Sequence, residues 1–302
     1  MARTISLLPA CLIVTAAQLA ASGDAGALVG SEPDVGHPAV GMLLVLEPGS
    51  PHGDWHLFCS GFLVHERVFI TAGHCVQQAA AALESGAFED ARVSFEHAPF
   101  DRQVGNDPDA SGWLEIEAIV DNPANPDWQD RDGILESWGT WHDQGAIILA
   151  EPVADIEPLR FPSAPGEVER LIEAQCASGL SGSAGACELS IVAYGVQDWP
   201  PSAPPNFRQI LRLTFDGINE LFIRSVAEPS DTCPGDSGGA VVLRTGGSAG
   251  EMAVAVSSSP LVAFDPADPS APRCQAGGTL HYRLDTPASM EFLRGVIERA
   301  AR

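Results

Sequence analysis

The chain has 302 residues, of which 45% are hydrophobic and 19% charged, a globular composition that excludes a disordered chain or a coiled coil. Every one of its 16 basic residues is arginine, against 40 acidic residues, which gives a formal net charge of -24. A basic nucleic-acid-binding surface is excluded, because phosphate binding needs clustered positive charge. Such a negative field attracts cationic substrates and opposes self-association, so we expect a monomer that does not bind nucleic acid.

The N-terminal residues 1–27 are predicted to be a signal peptide. Arg3 precedes the apolar run 5–21, which is short for a membrane span and is interrupted by a proline and a glutamine. Small residues at the spacing of a signal peptidase site place cleavage after Ala27, so that Leu28 begins the mature chain. We therefore expect a secreted protein, extracellular or periplasmic, with no stable membrane anchor.

Two alternatives remain for this segment. The run 5–21 is also compatible with a single transmembrane helix. Cleavage near Ala20 or Ala21 would instead leave a short propeptide, to be removed by another protease. No basic residue lies between Arg3 and Leu28, so a protease that cuts after Arg or Lys has no site there.

The cysteines predict disulfide bonds. Of the seven, Cys11 lies in the signal segment, and the others are Cys59, Cys75, Cys176, Cys187, Cys233 and Cys274. An even number in an exported protein favours disulfides over metal ligands. No Cys-x-x-Cys pair is present, and the sequence His65-Glu66 lacks the second histidine of a zinc protease helix, so no metal or cofactor is expected. Spacing alone leaves the pairing open.

In chain order, short apolar runs between turns rich in Gly and Pro predict β-strands. These lie at 40–46, 58–64, 67–71, 114–120, 146–150, 189–194, 209–215, 240–243 and 252–257. Helical patterns are limited to 75–83 and 287–301, the latter with Thr286 or Asp285 as its N-cap. Many short strands indicate an all-β barrel or sandwich, with 151–170 as a linker between two halves.

Three short motifs carry residues suited to nucleophilic catalysis. The first reads TAGHC and contains His74, the second reads GDSGG and contains Ser237, and the third reads HDQGAIILAEPV and contains Asp143. A serine hydroxyl is a poor nucleophile without an adjacent base, and a histidine base needs a carboxylate to orient it. Each motif alone also fits a structural role. Together they predict Ser237 as nucleophile, His74 as base and Asp143 as orienting carboxylate.

These motifs resemble the chymotrypsin/trypsin family of serine proteases, and the similarity runs from Leu28 to the C-terminal helix. The resemblance implies an all-β fold of two packed six-stranded antiparallel barrels with a C-terminal α-helix. It assigns 28–160 to the first barrel, 161–285 to the second barrel and 286–302 to the helix. The catalytic groups would lie in the cleft between the barrels.

The resemblance also implies roles for residues around the nucleophile. The backbone N–H groups of Gly235 and Ser237 would form the oxyanion hole. The free amine of Leu28, in a sequence similar to the family's mature N-terminus, would pair with Asp236 and activate the enzyme. Disulfides would join Cys59 to Cys75 and Cys233 to Cys274, leaving Cys176–Cys187 as the third pair.

The specificity pocket is where the chain departs from the family. Asp231 matches the carboxylate at the pocket floor of trypsin-like members, with Thr232 beside it, which implies cleavage after Arg or Lys. The alternative is an exposed loop aspartate. Ser257 and Ser259 lie on the strand where the family usually has Ser-Trp-Gly, so the aromatic platform is missing and a serine replaces a wall glycine. The opposite wall, 277–279, aligns in two ways, one of which narrows the pocket.

A second departure is the long segment between His74 and Asp143. The extra residues fall around 122–141 and form either a loop at the cleft rim or a decoration packed on the first barrel. Asp130 and Asp132 lie there as alternative orienting carboxylates, although neither leads into an apolar strand.

We expect a secreted serine endopeptidase that acts on proteins or peptides, with cleavage after Arg or Lys. The alternative is a catalytically silent binding protein on the same fold.

Overall fold

The computed structural model describes residues 31–49, 55–98, 112–126, 141–178, 188–196, 207–226, 232–245, 250–261 and 278–302. Several predicted features lie outside these described residues: the signal segment, most of the 122–141 insertion, and the residues Leu28, Asp231, Cys187 and Cys274.

The first barrel is a closed antiparallel sheet in the order β2-β3-β4-β7-β6-β5. Its strands are β2 (Val40–Leu46), β3 (Trp55–His65), β4 (Val68–Thr71), β5 (Asp90–Ser94), β6 (Leu114–Asp121) and β7 (Gly145–Leu149). All five residues of β7 are buried, because β7 lies between β4 and β6 and is covered on its outer face as well. The residue that precedes β7 is therefore held close to a rigid strand.

The second barrel closes in the order β8-β9-β10-β13-β12-β11, with β11 returning to β8. Its strands are β8 (Glu188–Ala193), β9 (Gln209–Ile218), β10 (Phe222–Val226), β11 (Ala240–Arg244), β12 (Glu251–Pro260) and β13 (Thr279–Arg283). The short strand β1 (Glu32–Pro33) pairs with β9, so the start of the described chain is attached to the second barrel although the first barrel follows it. The predicted two-barrel, all-β fold is confirmed.

In the described part of the chain, three helices accompany the barrels: α1 (Gly73–Ser85), α2 (Glu167–Ser178) and α3 (Pro287–Ala300). The hydroxyl of Thr286 accepts a hydrogen bond from the N–H of Ser289 and caps α3, so Thr286 is the N-cap of the two candidates predicted. Helix α2 was not predicted, because its Glu- and Pro-rich beginning favours a linker. Its first turn is stabilised locally, since the Glu167 carboxylate accepts hydrogen bonds from the N–H groups of Ser163 and Ala164.

All nine predicted strands are present. The described part of the chain also has four strands that the sequence analysis did not predict. These are β1, β5, β10 and β13. In β13 the polar residues Thr279 and His281 are fully buried and alternate with apolar ones, so the strand lacks the continuous apolar run by which the others were predicted. The core of the first barrel includes Phe292, Leu293 and Val296 of α3, which packs against β4 and β7, and this contact holds the C-terminal helix.

Candidate active site

His74 enters the site from the start of α1, immediately after β4. Gly73 precedes it, and a Cβ atom at that position would overlap the side-chain amide of Asn125, so only glycine fits. The disulfide Cys59–Cys75 joins β3 to α1 beside the histidine, with an S–S distance of 2.00 Å and Cα atoms 6.3 Å apart. This pair agrees with the one implied by the family resemblance. It fixes the beginning of α1, and therefore His74, to the barrel wall.

The same disulfide decides what the nearby donor atoms can bind. Potential metal-ligand atoms of Cys59, His74 and Cys75 lie within 4.8 Å of one another. The two sulfur atoms are bonded to each other and are not thiolates, so they are not available as metal ligands.

Asp143 holds His74 through both its ring and its backbone. The residue precedes β7 and is buried, with 3% of its surface exposed. Its Oδ1 accepts the backbone N–H of His74 at 2.9 Å, and its Oδ2 lies 3.0 Å from Nδ1 of the imidazole. A carboxylate at Nδ1 keeps the proton on that nitrogen, so the lone pair of Nε2 is left to act as a base.

Ser258 also donates to Asp143, and the sequence analysis missed this residue. Its Oγ lies 2.5 Å from Asp143 Oδ2, and its carbonyl oxygen is 3.5 Å from Ser237 Oγ. The pairing of β12 with β13 shifts register between Ser257 and Ser259, so Ser258 is the extra residue of a β-bulge. A bulge redirects a side chain out of the regular alternation. A run of three serines gives no sign of which one is redirected.

Ser237 lies in a tight turn between Cys233 and β11. The N–H of Asp236 bonds to the carbonyl of Cys233 at 3.1 Å, and Gly235 has a φ of 95°, a conformation that favours glycine. The Asp236 carboxylate is fully buried and accepts the N–H groups of Gly195 and Cys233, each at 2.8 Å. The turn is thus fixed from beneath by a carboxylate next to the nucleophile.

The N–H groups expected to form the oxyanion hole are available. Within the described part of the chain, neither the N–H of Gly235 nor that of Ser237 donates a hydrogen bond. An N–H without a protein partner at the surface of a cleft can donate to a developing negative oxygen.

The described pocket residues lie on β12 and in the segment before Ser237. Thr232 is buried, and its hydroxyl is 2.8 Å from that of Thr279 on β13, so it is engaged within the barrel wall. Ser257 is buried and uses its backbone to bond Gly238 and Gly239. Ser259 Oγ contacts the carbonyl of Pro260 at 3.3 Å. Asp231, the predicted floor of the pocket, lies outside the described residues.

Asn125 joins the two segments that carry His74 and Asp143, and the sequence analysis did not single it out. Its Oδ1 accepts the backbone N–H of Gln144 at 3.3 Å, while its Nδ2 donates to the carbonyl of Gln144 at 2.8 Å and to Asp121 at 2.5 Å. The amide also packs against Gly73. Asn125 therefore contacts the residue before His74 and the residue after Asp143.

The end of the insertion packs on the second barrel. Trp141 is buried, and its ring centroid lies 4.9 Å from that of Phe222. Next to it, His142 Nδ1 is 2.6 Å from the hydroxyl of Tyr282 on β13. Burial lowers the pKa of His142 and raises the pKa of Tyr282 to about 12, so a neutral imidazole meets a protonated phenol. Asp130, Asp132 and the rest of the insertion lie outside the described residues.

For each of the second and third predicted disulfides, one of the two cysteines lies among the described residues. Cys176 in α2 and Cys233 before the nucleophile are both disulfide-bonded. Their predicted partners, Cys187 and Cys274, lie outside the described residues, so these pairings stay predictions.

Comparison with known protein families gives independent support for the fold. The Trypsin family model matches residues 37–104, a segment that contains His74 and the Cys59–Cys75 disulfide and ends before Asp143. Together with the two closed six-stranded barrels, this match decides the fold. The chain has the chymotrypsin/trypsin-like fold. The match and the fold support a serine protease family and, in general, a protease hydrolase that acts on proteins or peptides. No curated protein matches this trypsin-like chain.

Among the described residues of this trypsin-like chain, no helix is both long and apolar enough to cross a bilayer.

Proposed function

We propose that the chain is a secreted serine endopeptidase that hydrolyses peptide bonds with Ser237, His74 and Asp143. The observation that carries this proposal is the placement of His74, whose Nδ1 lies 3.0 Å from Oδ2 of a buried carboxylate. Such a carboxylate fixes the tautomer and stabilises the imidazolium that forms during attack. The proposed nucleophile lies near the same carboxylate, since Ser237 Oγ contacts the carbonyl of Ser258 and the hydroxyl of Ser258 donates to Asp143.

The reaction would proceed through an acyl-enzyme. Ser237 Oγ attacks the carbonyl carbon of the scissile bond while its proton passes to Nε2 of His74. The tetrahedral intermediate collapses as the C–N bond breaks and the same proton passes to the leaving amine. Water then attacks the ester, with His74 again accepting and returning a proton, and Ser237 is released.

The oxyanion of each tetrahedral intermediate would be stabilised by the N–H groups of Gly235 and Ser237. Removing one such donor costs about 3 to 4 kcal/mol of transition-state stabilisation in enzymes of this type. The φ of 95° at Gly235 supports this role, because a side chain there would be strained and would also meet Leu57.

The proposed substrate is a protein or peptide with Arg or Lys on the acyl side of the scissile bond. Asp231 would provide the negative charge at the base of the pocket, next to the buried Thr232. The net charge of -24 would attract cationic segments and keep the enzyme monomeric. The strand that contributes Ser257 and Ser259 lacks the family's aromatic residue and has a serine in place of a wall glycine, so the shape of the pocket is expected to differ from the family's on that side.

Activation is proposed to follow directly from export. Removal of residues 1–27 would expose the amine of Leu28, which would pair with the fully buried carboxylate of Asp236. The turn that contains Ser237 would then be ordered without a lasting inactive precursor. N-terminal sequencing of the exported protein tests this: Leu28 is expected, and a stable inactive form that starts at Ala21 or Ser22 contradicts it.

Labelling with a fluorophosphonate tests the proposed activity. This reagent phosphonylates only a serine that an assembled site activates, so stoichiometric modification at Ser237 is expected, together with hydrolysis of Arg-containing peptides. The matched controls are Ser237→Ala, which removes the nucleophile, and Ser94→Ala, which removes a buried hydroxyl of β5 that accepts the backbone N–H of Glu96. An unlabelled wild-type protein would instead indicate a silent binding protein with a protease fold.

A further inference from the structure

Ser60 links the first barrel to the turn that carries the nucleophile. It lies on β3 directly after Cys59 and is completely buried. Its Oγ donates to the carbonyl of Gly235 at 2.7 Å and accepts the N–H of Tyr194 at 2.9 Å. Its own backbone N–H donates to the carbonyl of Ser237 at 2.9 Å. This one buried residue thus contacts the carbonyls of Gly235 and Ser237 in the turn that carries the nucleophile, and also the end of strand β8.

These contacts bear on the direction of the two oxyanion donors. In a trans peptide the C=O and N–H groups point in opposite directions, so holding a carbonyl also orients the next N–H. The carbonyl of Pro234 accepts the N–H of Val196 at 2.9 Å, which orients the N–H of Gly235. In the same way, the carbonyl of Asp236 accepts the N–H of Gly239 at 2.9 Å, which orients the N–H of Ser237.

Gly235 lies between the peptide groups Pro234–Gly235 and Gly235–Asp236, and it is the flexible residue of the turn. A glycine rotates about φ and ψ with little steric resistance, so both of its flanking peptides must be held for its N–H to keep one direction. The preceding peptide is held by Val196. The following peptide is held at both ends, since its carbonyl accepts from Ser60 Oγ and its N–H, that of Asp236, donates to the carbonyl of Cys233. Of these two contacts, the one with Ser60 is made by a side chain, and a single substitution removes it.

We propose that the hydroxyl of Ser60 is a positioning residue for the oxyanion hole, which it orients through the carbonyl of Gly235. This inference rests on the proposed protease function. Ser60 does not touch the substrate. It keeps the N–H of Gly235 aimed into the cleft, so its loss weakens binding of the tetrahedral oxyanion and leaves ground-state substrate binding intact.

The test is Ser60→Ala in the full mature protein, compared with wild type and with Ser94→Ala. Ser94 is a matched control because it is also a buried hydroxyl of the first barrel that accepts a backbone N–H, here that of Glu96. Peptide hydrolysis gives kcat and KM, normalised to sites titrated with fluorophosphonate. A peptide aldehyde, which forms a tetrahedral adduct with the active serine, reports directly on oxyanion stabilisation.

For Ser60→Ala we expect kcat to fall by about 10- to 100-fold with KM within about threefold, and aldehyde affinity to fall in parallel with kcat. For Ser94→Ala both are expected to stay near the wild-type values. Should Ser60→Ala fail to fold, Ser60→Gly removes the same hydroxyl and carries the same expectation.

A lowered melting temperature with unchanged kcat and aldehyde affinity would give Ser60 a structural role only and overturn the inference. Equal losses in Ser60→Ala and Ser94→Ala would do the same. A wild-type protein that is neither labelled nor active would overturn the proposed function itself, so the two failures are distinguishable.

Discussion

Ser258 Oγ and Nδ1 of His74 approach the same oxygen of Asp143, at 2.5 Å and 3.0 Å respectively. Asp143 belongs to the first barrel and Ser258 to the second, so this shared oxygen joins the two barrels at the centre of the site. The orientation of the histidine therefore depends on how the barrels pack against each other, as well as on the loop that carries Asp143.

Replacing Ser258 by alanine is expected to lower kcat about tenfold with little change in KM. A hydrogen bond to a charged group contributes about 1.5 to 3 kcal/mol, and its loss lets the carboxylate and imidazole move. Peptide hydrolysis measures the effect, with Ser225→Ala as control, since Ser225 is an equally buried hydroxyl of the second barrel bonded to His281. Equal activity of both variants would argue against a role for Ser258 in orienting Asp143.

The proposed catalytic residues are expected to act as one unit. Ser237→Ala and His74→Ala should each lose a factor of about 10⁶ in kcat, and the double variant should lose hardly more. Asp143→Asn should lose about 10⁴-fold, because an amide at this position favours the wrong imidazole tautomer. Steady-state and single-turnover hydrolysis measure these losses. A nearly silent Asp143→Asn would move the search for the orienting carboxylate to Asp130 and Asp132.

Asp231 is expected to select cationic substrates. Asp231→Ser should lower kcat/KM for Arg and Lys peptides by at least about 100-fold and leave apolar peptides comparatively unaffected, because the proposed charge partner of the cationic side chain is lost. Profiling with a peptide library before and after the substitution measures this. A wild-type profile dominated by Ala, Val or Phe would contradict the specificity and leave the protease activity standing.

Asn125→Ala is expected to lower kcat about tenfold, because the side chain bonds both the N–H and the carbonyl of Gln144, the residue that follows Asp143. Gln77→Ala is the matched control. Gln77 donates to Asp121 and to the carbonyl of Pro126, so its loss weakens the same loop while the hydrogen bonds of Asn125 to Gln144 remain. Hydrolysis rates and melting temperatures distinguish the two variants. Equal kcat losses would show that only loop stability matters.

A partly buried ionic cluster joins the N-terminal segment to the second barrel. The ring nitrogens of His37 lie 2.8 Å from Asp34 and 2.6 Å from Glu251, and Arg208 Nε lies 3.0 Å from Asp34. Burial by itself lowers the pKa of His37, but the hydrogen bonds and charges of Asp34 and Glu251 outweigh it and raise the pKa to about 9. His37 is therefore charged in the folded protein at neutral pH.

This cluster makes the free energy of unfolding depend on pH. Because the pKa of His37 is higher in the folded than in the unfolded state, its contribution is fully present below about pH 6.5 and is lost as pH rises through about 9. At pH 7 it is on the order of 2 kcal/mol. His37→Gln should therefore be less stable than wild type at pH 7 and nearly equal to it at pH 9.5.

Urea unfolding at several pH values measures this difference. Few other groups titrate between pH 8 and 9.5, since lysine is absent and burial raises the pKa of both tyrosines, Tyr194 and Tyr282, to about 12. The control is His56→Gln, at a histidine whose side chain is 43% exposed and 3.9 Å from Glu47. Parallel pH profiles for His37→Gln and wild type would remove His37 as the source of the pH dependence.

The amino-acid sequence by itself determined the fold class and the identity of the candidate catalytic residues. Strand-forming runs such as β2 and β7 bury apolar side chains next to each other in the chain, so their pattern is visible locally. His74 and Ser237 lie in short motifs whose neighbouring glycines are required by close backbone contacts. Cys59–Cys75 was implied by family resemblance and is present in the structure.

Only the tertiary structure decided which other side chains support the site. Ser258 reaches Asp143 across 115 residues of sequence, and Ser60 reaches Gly235 across 175. These partners are set by a β-bulge and by the packing of two closed barrels, and neither leaves a periodic signal in the chain. A serine in a strand is an ordinary residue until the closing of the sheet places a carbonyl or a carboxylate within reach of its hydroxyl.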